Sequence, residues 1–240
     1  MARIIKTSRS TISLIESGTG DHPQGDPGAS GRGLRDGGAV QGAARGDRGE
    51  GVPRAFATCG SRWNPRRTRF SRGLRPSCPA LLQTASYAYE LLRNGLPRAS
   101  EAEIRNKVQQ RMSRQELLRR PSPPDMSVVV CESVLRRRVG EPETMRGQLS
   151  ALLEFADRPT ALLQVLPLDA GTHGLMDGSL SILTTPENGM TVYTEGIRSG
   201  SIIEEPMQAR QLARSYDVLT ATALSPVEST CLIRKLLEAP

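Results

Sequence analysis

Apolar positions are densest over residues 124–167, and there they follow two different periods. Residues 126–131 and 161–166 are short apolar runs, each the length of one buried strand and too short for an independent helix. Between them Leu149, Leu152, Leu153 and Ala156 fall at i, i+3, i+4 and i+7, which draws an apolar stripe along one helix face. A short helix through Val139, stopped by Gly140, precedes this helix over 143–157. The pattern predicts a strand–helix–helix–strand unit able to seed a core.

Both flanks continue the pattern. Residues 81–94 predict a helix with Leu82, Tyr89 and Leu92 along one side, closed by Gly95. Ser100 and Glu103 form a capping-box pattern. It opens a charged helix through Arg119, with Ile104, Val108, Met112 and Leu117/Leu118 turned inward and Pro121, Pro123 and Pro124 ending it. Beyond Pro167 the string DAGTHGLMDG is a glycine-punctuated loop. Three strands, 179–185, 190–195 and 201–204, follow with PENG and RSG as turns, and an antiparallel meander is the natural arrangement. A helix over 205–224 carries Met207, Leu212, Tyr216 and Leu219 on one face. Ser225-Pro226-Val227-Glu228 then supplies an N-cap, a proline at N1 and a capping-box glutamate for the last helix. The fold class expected is α+β, a small antiparallel or mixed sheet packed with helices.

Charge divides the chain. Residues 1–78 hold fourteen Lys and Arg against six Asp and Glu, whereas 79–240 hold eighteen against nineteen. The basic balance therefore belongs to the first third, where it favours polyanions without selecting among them. Residues 19–78 contain thirteen glycines, with Leu34, Val40, Val52 and Leu74 as the only aliphatics beyond alanine. So little apolar surface cannot offset a backbone ordering cost of about 1–2 kcal/mol per residue, and a largely disordered basic segment is expected. No apolar run reaches the length of a membrane span, and the N-terminus lacks the apolar core of a secretory signal. Cys59, Cys78, Cys131 and Cys231 form no C-x-x-C pair, which points to reduced thiols in a cytoplasmic protein.

Residues 6–18, KTSRSTISLIESG, place Ser8 as an N-cap, Ile12, Leu14 and Ile15 as a partial apolar face and Gly18 as a stop. The string resembles the recognition helix of helix-turn-helix regulators of the λ-repressor (XRE) type. That resemblance implies that Arg9, Ser10, Thr11 and Ser13 face DNA, with Ile12 and Ile15 packed inward. The two helices such proteins carry ahead of this one are missing, so a truncated module is expected, and an isolated helix this short is marginal in water.

The ordered part carries a second resemblance. Pro79-x-Leu81-Leu82-Gln83-Thr84, Arg111-x-x-Arg114-Gln115-Glu116, Glu132 with Leu135-Arg136, and Gly140 run in order with Met145-x-x-Gln148-Leu149 and Gln164-Val165-Leu166-Pro167. Ala170-Gly171-x-His173, Val192-Tyr193-x-Glu195 and Ala223-Leu224-Ser225-Pro226-x-x-Ser229 continue the series. Together they resemble the C-terminal domain of unknown function of WhiJ-like actinobacterial regulators. Ala80 stands where that motif usually has Gly, and Cys131 where it often has Asp. The resemblance implies a transcription regulator of XRE type, sometimes antitoxin-like, with a small partner protein encoded nearby and no catalytic activity or cofactor. The domains expected are 1–18, the recognition-helix remnant; 19–78, the disordered segment; and 79–240, an α+β regulatory domain. An antitoxin-like interaction module without specific DNA binding is the alternative.

Candidate chemistry is sparse. Asp169, His173 and Asp177 offer two carboxylates and one imidazole, the donor types of a facial triad. Three glycines interrupt that loop and no second histidine lies in 79–240, so a metal site or hydrolase is disfavoured. His173, Tyr193 and Glu195 are instead the candidates for a ligand or partner site. A buried Glu195 would need a cation, for which Arg136 or Arg210 are available. The run Arg136-Arg137-Arg138 reads as a solvated face at a helix C-terminus.

Arg, Gly, Ala and Pro-rich text between two family-like segments is also what a GC-rich gene yields when read out of frame. Translating the coding DNA of residues 19–78 in the other two frames should give apolar-periodic, helix-forming sequence in one of them. If both frames lack it, the frameshift origin is wrong.

Overall fold

The computed structural model describes residues 69–73, 77–185, 189–196 and 200–239. The expected helix 6–18, the DNA-facing residues Arg9, Ser10, Thr11 and Ser13, and most of 19–78 lie outside them. Six strands are described: β1 (Arg69–Gly73), β2 (Asp125–Cys131), β3 (Ala161–Leu166), β4 (Ser179–Thr185), β5 (Gly189–Glu195) and β6 (Gly200–Ile203). The helices are α1 (Ala85–Gly95), α2 (Glu101–Arg114), α3 (Glu132–Arg136), α4 (Pro142–Ala156), α5 (Pro206–Thr222) and α6 (Pro226–Glu238). The α+β expectation holds, with a mixed sheet in the order β3-β2-β1-β4-β5-β6.

The two halves of that order have different rules. β1, β2 and β3 are parallel neighbours, joined by helical crossovers. β4, β5 and β6 form the antiparallel meander that the turn signals predict. Val128, Val129 and Val130 of β2 are all buried because helices cover both sheet faces, hence a continuous apolar run rather than alternation. One face packs Met126, Val128, Val130 and Val165 against α1, α4 and α6 through Tyr87, Leu152 and Ile233. The other packs Val129, Leu180, Ile182 and Val192 against α5 through Ala209, Tyr216 and Leu219. Tyr216 is pinned there by its hydroxyl, which bonds Ser127 Oγ and the Ser127 carbonyl, each at 3.0 Å.

The structure differs from the sequence expectations at several places, each with a physical cause. β1 falls inside the segment read as unable to fold, and it lies between β2 and β4 in the middle of the sheet. An aliphatic count misses Phe70, whose buried ring joins the main core cluster. Ladder bonds from two neighbours supply the rest. The expected helix 81–94 is broken into a 3-10 turn, Ala80–Leu82, and α1, with Thr84 as N-cap. The charged helix tightens to 3-10 geometry over Gln115–Arg119, and the helix expected through Val139 ends at Arg136. On α4 the inward face is Gln148, Leu149, Leu152 and Phe155, so the expected stripe is rotated and Leu153 and Ala156 sit at its margin. Gly140 therefore does not stop α3, but it turns the chain toward α4 with φ of +66°, and Glu90 Cγ lies 2.6 Å from where a Cβ would stand. Any side chain there meets both backbone strain and a clash.

Because β1 is anchored by one apolar ring, Phe70→Ala should destabilise the protein by about 3–5 kcal/mol. Chemical denaturation of the full chain measures this, and a wild-type midpoint in the variant would show that the sheet does not depend on the strand.

Candidate functional site

Most motif residues singled out in the sequence turn out to hold the fold together. The segment 78–84, which contains the 3-10 turn Ala80–Leu82, runs between β1 and α1 and is gripped from α2, the 3-10 turn after it, and α4. Gln148 on α4 donates Nε2 to the Leu82 carbonyl at 2.8 Å and accepts the Thr84 N–H on Oε1 at 2.8 Å. Its Nε2 also lies 3.3 Å from Cys78 Sγ. Gln83 donates to the Cys78 carbonyl at 2.6 Å and accepts from Arg111 Nη1 at 2.6 Å. Gln115 donates to the Ala80 and Gln83 carbonyls. The Cys78 N–H reaches the Tyr87 hydroxyl at 3.4 Å, and that phenol is pushed up to about 12, chiefly by burial and next by Cys78. Three separate motifs thus converge on one buried polar network.

A second group finishes the β3 edge of the sheet. Val165 N–H donates to Ser229 Oγ at 2.9 Å, and Leu224 N–H donates to the Val165 carbonyl at 2.9 Å. Gln164 Nε2 bonds the carbonyls of Thr220 and Leu224. The capping motif of α6 therefore serves twice, as helix start and as edge cover.

What remains is the end of the sheet where β1–β3 finish, β4 starts, and β5 turns to β6. Glu132, at the start of α3, accepts the Leu168 N–H at 3.0 Å and pairs with Arg136 at 2.7 Å. The bond from Leu168 N–H, and after it Arg136, holds this carboxyl below the usual carboxylate range. Arg136 is thus engaged by Glu132, contrary to the partnership with Glu195 considered for it. The loop from β3 to β4 then crosses to the α5 side, where Leu175 enters the core and Gly174 lies 3.5 Å, measured from an added Cβ, from Ser215 Oγ.

The three candidate residues are divided by the sheet. Half-buried His173 sits in the loop on the α5 side, its Nδ1 accepting the Leu175 N–H at 3.2 Å. Tyr193 and Glu195 alternate with Val192 and so face the opposite side, where Tyr193 packs against the main core cluster. The Tyr193 hydroxyl lies over Gly200 of β6, in the space a Cβ would fill. Gly200 was not legible as a site residue, because only the cross-strand register reveals what covers it. Among the described residues no three His, Cys, Asp or Glu side chains come close enough to share a metal ion. An open cleft of about 360 Å³ lies elsewhere, between α1 and α2, lined by Tyr89, Glu101 and Arg105 among others.

Two apolar side chains of that loop stay in solvent. Leu168 is 57% exposed and Met176 is 65% exposed, both in the loop that carries His173. Large apolar groups on a glycine-rich loop are the unexpected feature of this surface.

The family model described as a domain of unknown function, DUF5753, matches residues 75–235. The chain belongs to the DUF5753 family. The searches of curated proteins and of solved structures returned no match. The DUF5753 match begins ahead of the polar network and ends inside α6, so it spans both features that stabilise the fold. Among the described residues no helix of this DUF5753 domain is long and apolar enough to cross a membrane.

Burial holds the His173 imidazole below its ordinary range. The folded state favours the neutral ring, and a protonated Nδ1 could not accept the Leu175 N–H. That contribution is complete above the unfolded value of about 6.5 and is lost as pH falls from there toward the folded value. Thermal melts between pH 8 and pH 5 should show wild type losing more stability than His173→Asn, whose Oδ1 keeps an acceptor without titrating. Superimposable pH profiles would remove His173 from this role.

Proposed function

We propose that this chain is a truncated transcription regulator of the XRE helix-turn-helix type. Its DUF5753 domain is the regulatory half that senses an effector or binds a small partner protein, the partner being the better fit to its surface. The observation that carries the regulatory reading is the loop from β3 to β4. It presents Leu168 and Met176 to solvent beside a histidine, on a domain whose other motif side chains are engaged in internal hydrogen bonds. Large apolar side chains left in solvent fit a protein contact better than a small polar ligand. The string from Ser8 to Gly18 supports the DNA-binding half, with Arg9, Ser10, Thr11 and Ser13 as its contacts and the basic balance of residues 1–78 adding unselective attraction.

The second reading is an antitoxin-like interaction module that acts without specific DNA binding. It is favoured by the balance of residues 79–240, eighteen basic against nineteen acidic side chains, which gives that part no electrostatic pull toward a polyanion.

Two measurements separate the readings. Co-expression with the small protein encoded next to the gene should give a complex that survives purification, and Leu168→Asp with Met176→Asp should abolish it while leaving the circular dichroism spectrum unchanged. A complex untouched by the double variant places the contact elsewhere. In gel shifts with DNA from upstream of the gene, a sequence preference that persists as salt is raised supports the first reading. Affinity that falls equally for every sequence supports the second reading.

A further inference from the structure

The two edges of the sheet are treated differently. β3 is covered, since both backbone groups of Val165 are taken by Ser229 and Leu224. β6 is the other edge, and among the described residues no hydrogen bond meets the backbone of Gly200–Ile203 from outside the sheet. Natural sheets protect such edges by keeping them short or with charge, proline or a bulge. β6 reads Gly-Ser-Ile-Ile, and of these its four residues offer only shortness. Its surroundings are apolar as well. Ile202 is 42% exposed on the strand itself, Met207 is 59% exposed in the first turn of α5, and Met190 is 38% exposed at the start of β5. The antiparallel register places that start of β5 beside the end of β6. Three of the eight large exposed apolar side chains among the described residues thus border one open edge.

We infer that the β6 edge is a self-association surface, on which β6 of a second copy pairs antiparallel to make one continuous twelve-stranded sheet. The sequence argues for a second copy because the stretch is complementary to itself. With Ser201 opposite Ile202 of the second copy, Gly200 meets Ile203, so small residues face large ones along the pair. Glu204 and Glu205 follow the strand, and the antiparallel register carries the acidic pairs of the two copies to opposite ends. A parallel register would set the glutamates of the two copies side by side, and like charges directly opposite are destabilising. The inference is independent of whether the chain binds DNA.

Sedimentation velocity of the full chain across the micromolar range tests it. Wild type should shift from monomer to a species of twice the mass as concentration rises. Ile202→Lys and Ser201→Lys, which put a charge on opposite faces of the edge, should each stay monomeric where wild type is dimeric, with unchanged far-ultraviolet circular dichroism. Hydrogen exchange gives a second reading that needs no variant: the amides of residues 201–203 should gain protection with concentration. A wild type that stays monomeric, a dimer that both lysines leave intact, or protection independent of concentration would each overturn the inference.

Discussion

Gln148 reaches across about sixty-five residues of chain to satisfy an N–H and a carbonyl on either side of Gln83, and the helical layer depends on that reach. The segment 78–84 is neither α-helix nor strand, yet Cys78, Ala80, Leu81, Leu82 and Gln83 are all buried. Backbone groups buried outside a ladder must find other partners, and here amide side chains supply them. Leaving one such group unmatched costs about 1–3 kcal/mol, so the network is a stringent constraint and not a decoration of the core. By fixing this segment it fixes where α1 starts, and through Tyr87 and Leu92 it fixes how α1 seats against the sheet and α2.

The same constraint explains where sequence reasoning stops. Helix starts with local signals were legible: Ser100 and Ser225 cap with their glutamates at N3 as the spacing required. The break at Gln83 and Thr84 was not, because its cause lies in residues 115 and 148, far away in sequence. β1 was illegible for a related reason. A strand held by ladders on both sides needs little from its own side chains, and a segment full of glycine and arginine hides one useful phenylalanine. The strands with apolar runs, β2 and β3, were read almost to their ends, since burial on two faces leaves a continuous signal.

For the candidate site the outcome was mixed. The motifs that marked the resemblance mark mainly the internal hydrogen-bond scaffold, as Gln83, Arg111, Gln148, Gln164 and Ser229 show. Tyr193 and Glu195 lie on one side of the sheet and His173 on the other, because a period-two strand and a crossing loop separate them. Leu168 and Met176 are visible in the sequence as large apolar residues of a glycine-rich loop, but no local pattern says that they stay exposed.

The loop surface and the β6 edge do not compete for space. Gly200 begins β6 at the same end of the sheet as the loop from β3 to β4, since Gly200 pairs with Glu195 and Glu195 pairs with Ser179. Antiparallel pairing of two β6 strands reverses the strand direction across the twofold axis, so the loop ends of the two copies point to opposite ends of the joined sheet. Each copy would then keep Leu168 and Met176 open to its own partner. A dimer built this way presents two separated partner sites, and binding at one leaves the other sterically free. Coupling between them would have to pass through the sheet itself, where β1 stands between the parallel half and the meander.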